Sequence, residues 1–254
     1  MSRVISITNQ KGGVGKTTTA INLSAALAEA EQKVLIVDFD PQINATTGLG
    51  VELEENDKTI MDAIHNKDDA KNCIKRNVKP NIDLYAGSIE LSSLETELLD
   101  KNDREQELKK VIDQVRDDCD FVIIDCPPAV GIITVNALVA SDACIIPVQC
   151  EYFSLEGLKQ VLSAVELIRS GMNPSLTIEG LLFTMFDART RLAQDVVNMI
   201  KENMNDVRIF ETMIPRNIRL AEAPSNGASI IEYDPSSVGA ERYRKLAGEI
   251  LKSE

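Results

Sequence analysis

The sequence predicts an α/β fold in which helices cover both faces of a doubly wound, mostly parallel sheet. Two continuous apolar runs, Val34–Asp38 and Phe121–Asp125, each end in an acid, as do strands buried on both faces of a parallel sheet. A glycine-rich loop, residues 11–15, joins a third apolar run to a helix-like segment. Because α/β sheets of 254 residues commonly form one domain, we expect a single domain over residues 1–254.

The composition is that of a globular chain. Hydrophobic residues make up 44% and charged residues 26%, and no apolar run approaches the ~18 residues of a membrane-spanning helix. The first apolar run, Val4–Thr8, is too short for a secretion signal and leads directly into the glycine loop. We therefore expect a cytoplasmic protein that does not bind membranes.

Cysteine and histidine usage excludes several kinds of site. The five cysteines form no C-x-x-C pair, so neither a disulfide framework nor a zinc site is expected. The single histidine, His65, lies in a polar stretch and is interpreted as a solvated loop residue. Histidine-based triads and multi-histidine metal sites are therefore excluded.

The net charge of −13 is distributed unevenly. Residues 184–254 contain 10 Lys and Arg against 11 Asp and Glu, a balance of −1, whereas residues 1–183 contain 17 against 29, a balance of −12. A generally cationic nucleic-acid binder is excluded, but the C-terminal part retains enough basic residues for a local basic face.

The glycine-rich loop carries the residues of a nucleoside-triphosphate site. It lies between the strand Val4–Thr8 and a helix predicted over Ala20–Ala30. Glycines let the backbone turn its N–H groups toward phosphate oxygens, and the helix points the positive end of its dipole at the same place. Within the loop, we expect Lys16 to reach the β- and γ-phosphates and the Thr17 hydroxyl to bind Mg²⁺.

The loop departs from the pattern G-x-x-x-x-G-K-[ST], because Gln10 stands where the first glycine is required. The loop instead has a second lysine, Lys11, at its mouth. From that position, one subunit could project a cation onto the phosphates bound by another.

Acidic residues stand at the ends of two predicted strands. Asp38 and Asp40 end the second strand and Asp125 ends a later one. Because ligands of parallel sheets gather at the carboxyl ends of strands, these carboxylates are expected near the phosphates. Asp125 occupies the Walker B position, where it would hold Mg²⁺ through a water molecule. For Asp38, a structural role in the turn before Pro41 stays open.

The other elements are predicted from apolar periodicity. Residues 51–118, with 18 acidic and 11 basic residues, are expected to form outer-layer helices around one strand. The apolar positions of these helices are Leu91, Leu94, Leu98, Leu99, Leu108, Val111, Ile112 and Val115. Further strands are predicted at Ile82–Tyr85, Ala143–Val148, Ile178–Met185 and Ile209–Ile214. A helix capped by Ser154 and a docking helix over Val238–Leu251 complete the prediction.

Taken together, these motifs resemble the ParA/Soj family of deviant-Walker partition ATPases, in its short Soj-like form. Two departures, Ile43 and Asn226, stand where many relatives carry glycine and histidine, and neither position is required by the chemistry proposed for the family. We expect no N-terminal helix-turn-helix extension. The motifs occur in the family's order: KGGVGKTTT, DFDPQ, IIDCPP, PVQCEY, TMFDART, IPRN and YDPSS.

The resemblance implies roles for individual residues. Asp40 matches the catalytic aspartate that orients the attacking water, and it would act with Lys16 and with Lys11 of a partner subunit. Pro215 and Asn217 match positions that lie against the adenine. The implied metal-binding residues are Thr17 and Asp125, and the implied nucleotide-binding residues are Lys11, Gly12, Gly13, Val14, Gly15, Lys16, Thr17, Thr18, Pro215 and Asn217.

The resemblance also implies a reaction cycle with ATP and Mg²⁺. An ATP-dependent homodimer would bind double-stranded DNA without sequence preference, in the cytoplasm at the nucleoid, and leave it after slow hydrolysis. A ParB/Spo0J-like centromere-binding protein would stimulate that hydrolysis. Arg189 and Arg219, in the near-neutral C-terminal part, match basic positions used for DNA. Further candidates are Arg191, Arg208, Arg216, Arg242, Arg244 and Lys245.

Three other functions on the same scaffold stay open. A MinD-type membrane-cycling ATPase would need a separate amphipathic anchor, but the chain stops soon after its docking helix. An iron-sulfur reductase would need cysteines shared across a dimer axis, and Cys126 lies next to Asp125. A metabolic ligase or synthetase would need a substrate pocket that the sequence does not reveal. Whether the cargo is a chromosome or a plasmid is also left open.

Overall fold

The computed structural model describes residues 2–129, 131–151, 154–204 and 206–253, with the backbone alone at residues 67 and 68. Seven strands form one sheet in the order β3-β4-β2-β5-β1-β6-β7. All neighbouring pairs are parallel except β3 and β4, which confirms the predicted doubly wound, mostly parallel sheet. The strands are β1 (Arg3–Ile7), β2 (Val34–Asp38), β3 (Ile74–Lys79), β4 (Ile82–Tyr85), β5 (Phe121–Asp125), β6 (Ala143–Gln149) and β7 (Thr177–Thr184).

Helices cover both faces of this sheet. In the described part of the chain, 3₁₀ helices lie at Lys67–Cys73, Ile89–Ser93, Arg104–Gln106, Arg116–Asp118 and Ala223–Asn226. The α-helices are α1 (Lys16–Glu29), α2 (Asn44–Gly48), α3 (Ile60–His65), α4 (Leu94–Glu97), α5 (Glu107–Ile112), α6 (Ile132–Ala140), α7 (Ser154–Gly171), α8 (Arg191–Asn203), α9 (Ile218–Glu222), α10 (Ile230–Tyr233) and α11 (Val238–Leu251).

Successive strand residues pack into different cores, which explains the continuous apolar runs in the sequence. In β2, Ile36 packs with α1 and α11, whereas Leu35 and Val37 pack with α3, α5 and α6 on the opposite face. A third core joins β6 and β7 to α7 and α8. A strand buried on both faces has no polar face, so its sequence shows no alternation.

The strand order brings the predicted site to one edge of the sheet. Strand β1 lies between β5 and β6, so the connections after β1 and β5 run to opposite sides of it. The register sets Asp125 beside both Asp38 and Ile7 at the carboxyl ends of the strands. In open parallel sheets, ligands bind at such a switch point.

Two stretches differ from the predictions. Residues 51–118 contain an additional antiparallel strand, β3, and mostly short α or 3₁₀ helices; Leu91, Leu94 and Leu98 are buried as expected, but Leu99 is exposed. The half-exposed β3 lacks the apolar run that marked the central strands.

The strand predicted over 209–214 is wrong. The described residues contact β7 only near the two ends of this segment: the N–H groups of Phe210 and Ile214 donate to the carbonyls of Leu181 and Phe183 at 3.1 and 2.8 Å, and isolated bridges lie at Ile209 and, just beyond the segment, at Pro215. The carboxylate of Glu249 accepts hydrogen bonds from the backbone N–H groups of Glu211 and Thr212 at 3.0 and 2.8 Å. These bonds draw the middle of the segment toward α11 and interrupt the ladder with β7.

Helix ends refine three further predictions. Helix α1 begins at Lys16, four residues earlier than predicted, and α11 has the predicted bounds. Ser154 is the first residue of α7 and donates its hydroxyl to the Gln149 carbonyl. Residue 152, the last of the PVQCEY motif, and residue 153 lie outside the described residues. Among the described helices, none is both long and apolar enough to cross a membrane.

Candidate active site

The loop between β1 and α1 leaves the first turn of α1 open to an anion. Gly13 and Gly15 have φ angles of 74° and 88°, the left-handed region that side chains rarely adopt. Gly15 is the residue before α1 and supplies no side-chain cap. The first N–H groups of the helix therefore have no side-chain acceptor at that position, and the helix dipole adds positive potential there.

Neighbouring strands hold this loop in place. The Thr184 hydroxyl donates to the Val14 carbonyl at 2.8 Å, and the Asn9 side chain donates to the Pro147 carbonyl at 2.6 Å. Asn9 also accepts from the backbone N–H of Lys11 at 3.0 Å. The loop is thus fixed to β7 and β6 at two points and braced internally at a third, which pre-forms its concave side.

Lys16, the first residue of α1, is buried against the loop. Its Nζ donates to the Lys11 carbonyl at 3.1 Å. Burial lowers the pKa of Lys16, and the nearby Asp125, Cys126 and Asp40 oppose that shift. The ammonium group is therefore held inside the loop, next to the carboxylates at the strand ends.

Asp38 and Asp125 form a buried acidic pair that lacks a full set of partners. Neither oxygen of Asp125 accepts a hydrogen bond from the described residues, nor does Oδ1 of Asp38. Burial first, and then the Asp38 carboxylate, raise the pKa of Asp125 well above its usual range. The Thr17 hydroxyl opposes this rise but makes no hydrogen bond of normal geometry with Asp125.

This donor set fits a hard divalent cation. Mg²⁺ prefers oxygen ligands and is commonly held by one or two carboxylates together with substrate phosphates and water. Asp125 and the Thr17 hydroxyl supply such oxygens beside the loop, and a bound cation would offset the unpaired buried charge. The described residues contain no cluster of three or more His, Cys, Asp or Glu side chains able to hold a metal.

Asp40 has one oxygen free for chemistry. It is 4% exposed, and its Oδ1 accepts from the backbone N–H of Gln42 at 2.9 Å. Its Oδ2 makes no hydrogen bond within the described part of the chain, so one side of the carboxylate is fixed by the turn while the other can accept a proton or orient a water molecule.

Lys11 lies at the loop mouth, as predicted, but it has a partner in its own chain. Its side chain is 42% exposed and forms an ion pair with Glu151, which follows β6. Exposed ion pairs are worth about 0–1 kcal/mol, so this contact is easily exchanged for another anion. Sequence reasoning did not pair Glu151 with Lys11, because residues 140 positions apart come together only through the sheet.

A cavity of about 180 Å³ opens beside the loop. Pro215 and Asn217 form part of its wall together with Gly15 and Thr18, so the structure brings the predicted adenine residues next to the predicted phosphate residues. The Asn217 Oδ1 caps α9 by accepting from the N–H of Arg219 at 2.8 Å, which leaves its amide N–H groups as donors. The rest of the wall is mostly apolar: Thr184, Met185, Ile214, Arg216, Leu220, Ala221 and Tyr243.

The two predicted DNA-binding arginines are exposed and ion-paired. Arg189 makes two bonds to Asp187, at 2.9 and 2.8 Å, and these lower the pKa of Asp187 to about 2. Arg219 bonds to Glu222 at 3.0 Å and lies over the ring of Tyr233. These pairs are the salt bridges expected of ordinary surface arginines, so geometry alone does not assign a DNA role.

Arg189 borders a groove of about 630 Å³ that Arg219 does not line. Arg216 and Arg242 lie in the same groove, and neither forms an ion pair with the described residues. Arg216 also borders the cavity that contains Pro215 and Asn217. A groove with three arginines therefore adjoins the candidate adenine cavity.

Known proteins are similar to this chain in sequence and in fold. A family model described as an AAA domain matches residues 2–178. The sporulation initiation inhibitor protein Soj of Bacillus subtilis is 48% identical over 250 residues, 98% of each chain. The chromosome-partitioning ATPase Soj of Treponema pallidum is 47% identical over 99% of this chain and 98% of its own.

Two solved structures are similar over nearly the whole chain. Cobyrinic acid a,c-diamide synthase of Mycobacterium smegmatis, crystallised with an ATP analog and magnesium, has a TM-score of 0.86 and 32% identity over 99% of this chain and 95% of its own. The cell division ATPase MinD of Pyrococcus furiosus has a TM-score of 0.80 and 27% identity over 100% of both chains. The fold is therefore shared by enzymes with different reactions.

The raised pKa of Asp38 leads to a prediction about stability. Burial raises this pKa to about 6 from 3.8, although Thr46 donates to the carboxylate. Between pH 3.8 and about pH 6, the folded state binds more protons than the unfolded state, so the free energy of unfolding falls as the pH rises. This loss of stability, about 3 kcal/mol, is complete above pH 6. Asp38→Asn keeps an acceptor for Thr46 without the charge. We expect the free energy of unfolding of Asp38→Asn to exceed that of wild type by up to about 3 kcal/mol at pH 8. At pH 5 this gain should be about 1.4 kcal/mol smaller than at pH 8.

Urea unfolding in EDTA at both pH values measures this difference. Asp100→Asn, an exposed acid outside the site, controls for the loss of one negative charge. The same pH dependence in wild type and Asp38→Asn would show that another group is responsible.

Proposed function

Because this chain belongs to the ParA/Soj family of chromosome-partitioning ATPases, we propose that it hydrolyses ATP in a cycle of dimerisation and DNA binding. The observation that carries the proposal is the deviant phosphate loop, with Lys11 at its mouth and Lys16 inside, set beside an unpaired buried carboxylate, Asp125. The relatives' names supply the partitioning role, and the loop supplies the chemistry.

ATP would bind along the edge from the loop to the adjoining cavity. The backbone N–H groups of residues 12–18 and the Lys16 ammonium face the phosphates, while Pro215 and Asn217 contact the adenine. The uncapped start of α1 and the 180 Å³ cavity beside Gly15 support this placement. The structure of the synthase with an ATP analog and magnesium supports the same nucleotide and metal for this chain.

Thr17 and Asp125 would hold Mg²⁺. When bound, the ion neutralises phosphate charge and thereby favours the transition state of phosphoryl transfer. Asp125 needs a cation on electrostatic grounds, because both of its oxygens are buried without a partner among the described residues. Thr17 is the second residue of α1, and its hydroxyl is close enough to Asp125 to oppose the rise in the pKa of that carboxyl group.

Hydrolysis would depend on Asp40 and the two lysines. Asp40, anchored by Gln42 on one oxygen, would orient the attacking water with the other. Lys16 stabilises charge on the phosphates, and Lys11 of a partner subunit would complete that stabilisation. Because Lys11 lies at the loop mouth and pairs with Glu151 in its own chain, we expect it to act on the phosphates of a second copy. Slow turnover without an activator is expected from the family resemblance.

The ATP-bound dimer would bind double-stranded DNA without sequence preference and release it on hydrolysis. The exposure of Arg189 and Arg219 is compatible with phosphate contacts, and Arg216 and Arg242 line the same groove as Arg189. A ParB-like protein would activate hydrolysis, an expectation that rests on the family alone. We place the protein in the cytoplasm at the nucleoid, where its DNA is found.

The shared fold does not by itself separate partitioning from the rival functions, because one fold hosts many activities. The relatives that match at 47–48% identity carry the Soj name, whereas the MinD and synthase structures match at 27% and 32%. The partitioning function is therefore the one supported best.

A first prediction of the proposed function concerns the two lysines. Lys11→Ala should bind ATP as a monomer but fail to form the ATP dimer, because only the contact with the partner's phosphates is lost. Lys16→Ala should weaken ATP binding about 10–100-fold, since it removes charged hydrogen bonds within the chain. Nucleotide titration and light scattering measure both effects, with Lys252→Ala as the matched control. Normal dimerisation and hydrolysis by Lys11→Ala would contradict the role in the partner's site.

The second prediction separates hydrolysis from binding at Asp40. Asp40→Asn keeps the acceptor for Gln42 but cannot take a proton, so we expect ATP binding and dimerisation to survive while hydrolysis falls by about 10²-fold or more. Asp40→Ala should give the same trapped dimer, which stays on DNA. Phosphate release under single-turnover conditions measures the rate. Wild-type turnover in either variant, or complete loss of ATP binding, would exclude this role.

The third prediction concerns DNA. Arg189→Ala and Arg219→Ala should each weaken DNA binding equally for all sequences and flatten its salt dependence, since each phosphate contact releases about 0.9 counterions. ATP-driven dimerisation should persist, because neither side chain lines the phosphate loop. The measurement is DNA affinity against salt concentration for the ATP-bound dimers, with Lys109→Ala on α5 as control. Unchanged affinity and slope in the double variant would move the DNA surface to other residues.

A further inference from the structure

The segment that leads into α9 does not keep step with β7. The N–H of Phe210 donates to the Leu181 carbonyl at 3.1 Å. The next such bond on β7 is from the N–H of Ile214 to the Phe183 carbonyl, at 2.8 Å. Between these two bonds the segment advances by four residues while β7 advances by two. Residues 211–213, which we call the bulge, therefore stand where a regular parallel ladder has a single residue.

The bulge depends on one side chain of α11. The N–H groups of Glu211 and Thr212 donate to the two carboxylate oxygens of Glu249, at 3.0 and 2.8 Å. Thr212 is 5% exposed, so without the carboxylate its N–H would lose its acceptor in a buried position. A buried donor that loses its acceptor is destabilising. Glu249 therefore determines whether the bulge persists.

Glu249 is itself held in place. The Arg208 guanidinium donates to the Glu249 carbonyl at 3.3 Å and to the Glu179 carboxylate of β7 at 2.8 Å. Earlier in α11, the Tyr243 hydroxyl lies 3.3 Å from the Thr19 hydroxyl of α1. Helix α11 is thus fixed both to β7 and to the helix that begins at the phosphate loop. The carboxylate on this helix is a fixed anchor for the bulge.

The bulge sets the position of the residues that follow it. Ile214, Pro215 and Asn217 line the cavity beside the phosphate loop. Each residue of an extended chain spans about 3.3 Å, so a regular ladder without the two extra residues would move these side chains by about 7 Å along β7. Such a shift would take Pro215 and Asn217 away from their places in the cavity wall. Bulges next to active sites commonly aim side chains in this way.

We propose that Glu249 is a positioning residue for recognition of the adenine base. It holds the bulge, and the bulge places Pro215 and Asn217 in the cavity wall. Glu249 does not line this cavity, so it acts through the segment that it anchors. This role rests on the adenine contacts proposed above for Pro215 and Asn217. It makes base selectivity depend on a carboxylate near the end of α11, outside the nucleotide site.

Two substitutions remove acceptors from the bulge. Glu249→Ala removes both, whereas Glu249→Gln keeps one oxygen and turns an NH₂ group toward the other N–H. We expect Glu249→Ala to raise the Kd for ADP with Mg²⁺ by about tenfold or more, because the base contacts are displaced. The Kd for pyrophosphate with Mg²⁺ should stay within about twofold of wild type, since pyrophosphate has no base and uses the phosphate loop alone. ADP is the probe because it cannot drive the proposed ATP dimer.

Base selectivity is the second measurement. Calorimetric titration with GDP should show that the preference for ADP over GDP falls by about tenfold in Glu249→Ala and by a smaller factor, about threefold, in Glu249→Gln. Glu241→Ala is the matched control, because it removes another carboxylate of α11 that only pairs with the exposed Lys245. It should bind all three ligands as wild type does.

A purely structural role would give a different result. Thermal unfolding shows which variants are folded at the titration temperature, and if Glu249→Ala is not, the selectivity of Glu249→Gln decides. Equal losses of affinity for ADP and pyrophosphate would indicate general damage to the fold and would overturn the proposal. An unchanged preference for ADP over GDP in the folded variants would overturn it as well.

The wild-type protein separates this inference from the function on which it rests. If wild type binds ADP no more tightly than pyrophosphate or GDP, Pro215 and Asn217 do not recognise adenine, and that part of the proposed function is wrong. If wild type prefers ADP and Glu249→Ala keeps the full preference, the adenine site stands and the positioning role of Glu249 alone fails.

Discussion

The constraint on which the structure depends is the negative charge at the carboxyl edge of the sheet. Asp38, Asp40 and Asp125 lie buried there, and Lys16 is the buried cation that faces them. Asp38 and Asp125 are register partners on adjacent strands, so the sheet itself forces two carboxylates together. Burying unpaired charge is unfavourable unless a ligand compensates it. The buried carboxylates therefore destabilise the folded protein at this edge of the sheet, and a bound metal–nucleotide complex would stabilise it.

Buried elements were the most predictable from sequence. Strands β2 and β5 are enclosed on both faces, so only apolar residues fit until the acid at the strand end, and the pattern is unambiguous. Segments with one exposed face or with 3₁₀ turns, such as β3 and Ile89–Ser93, leave weaker patterns. The break in the strand at 211–212 depends on Glu249, which lies in a different part of the sequence and cannot be detected from local periodicity.

The same distinction applies to the site. Residues in the loop and at strand ends were identified because their chemistry depends on local order. Two residues that support the site were not predicted, because they lie far away in the sequence. Thr184 donates to the Val14 carbonyl in the loop, and Glu151 forms an ion pair with Lys11. The positive φ angle of Ile43 was also not predicted from the sequence. Backbone strain at a single residue cannot be detected from the composition or from the spacing of residues in the sequence.

The cap on α9 has a consequence for how mutations in this protein can be interpreted. Asn217 lines the cavity beside the phosphate loop, and its side-chain oxygen fixes the N–H of Arg219 at the start of the helix. Under the proposed function, two traits that a geneticist would score separately, selectivity for the base and retention on DNA, would therefore share one amide group. Alleles at this codon would then be pleiotropic, and natural selection could not adjust either trait at position 217 without altering the other.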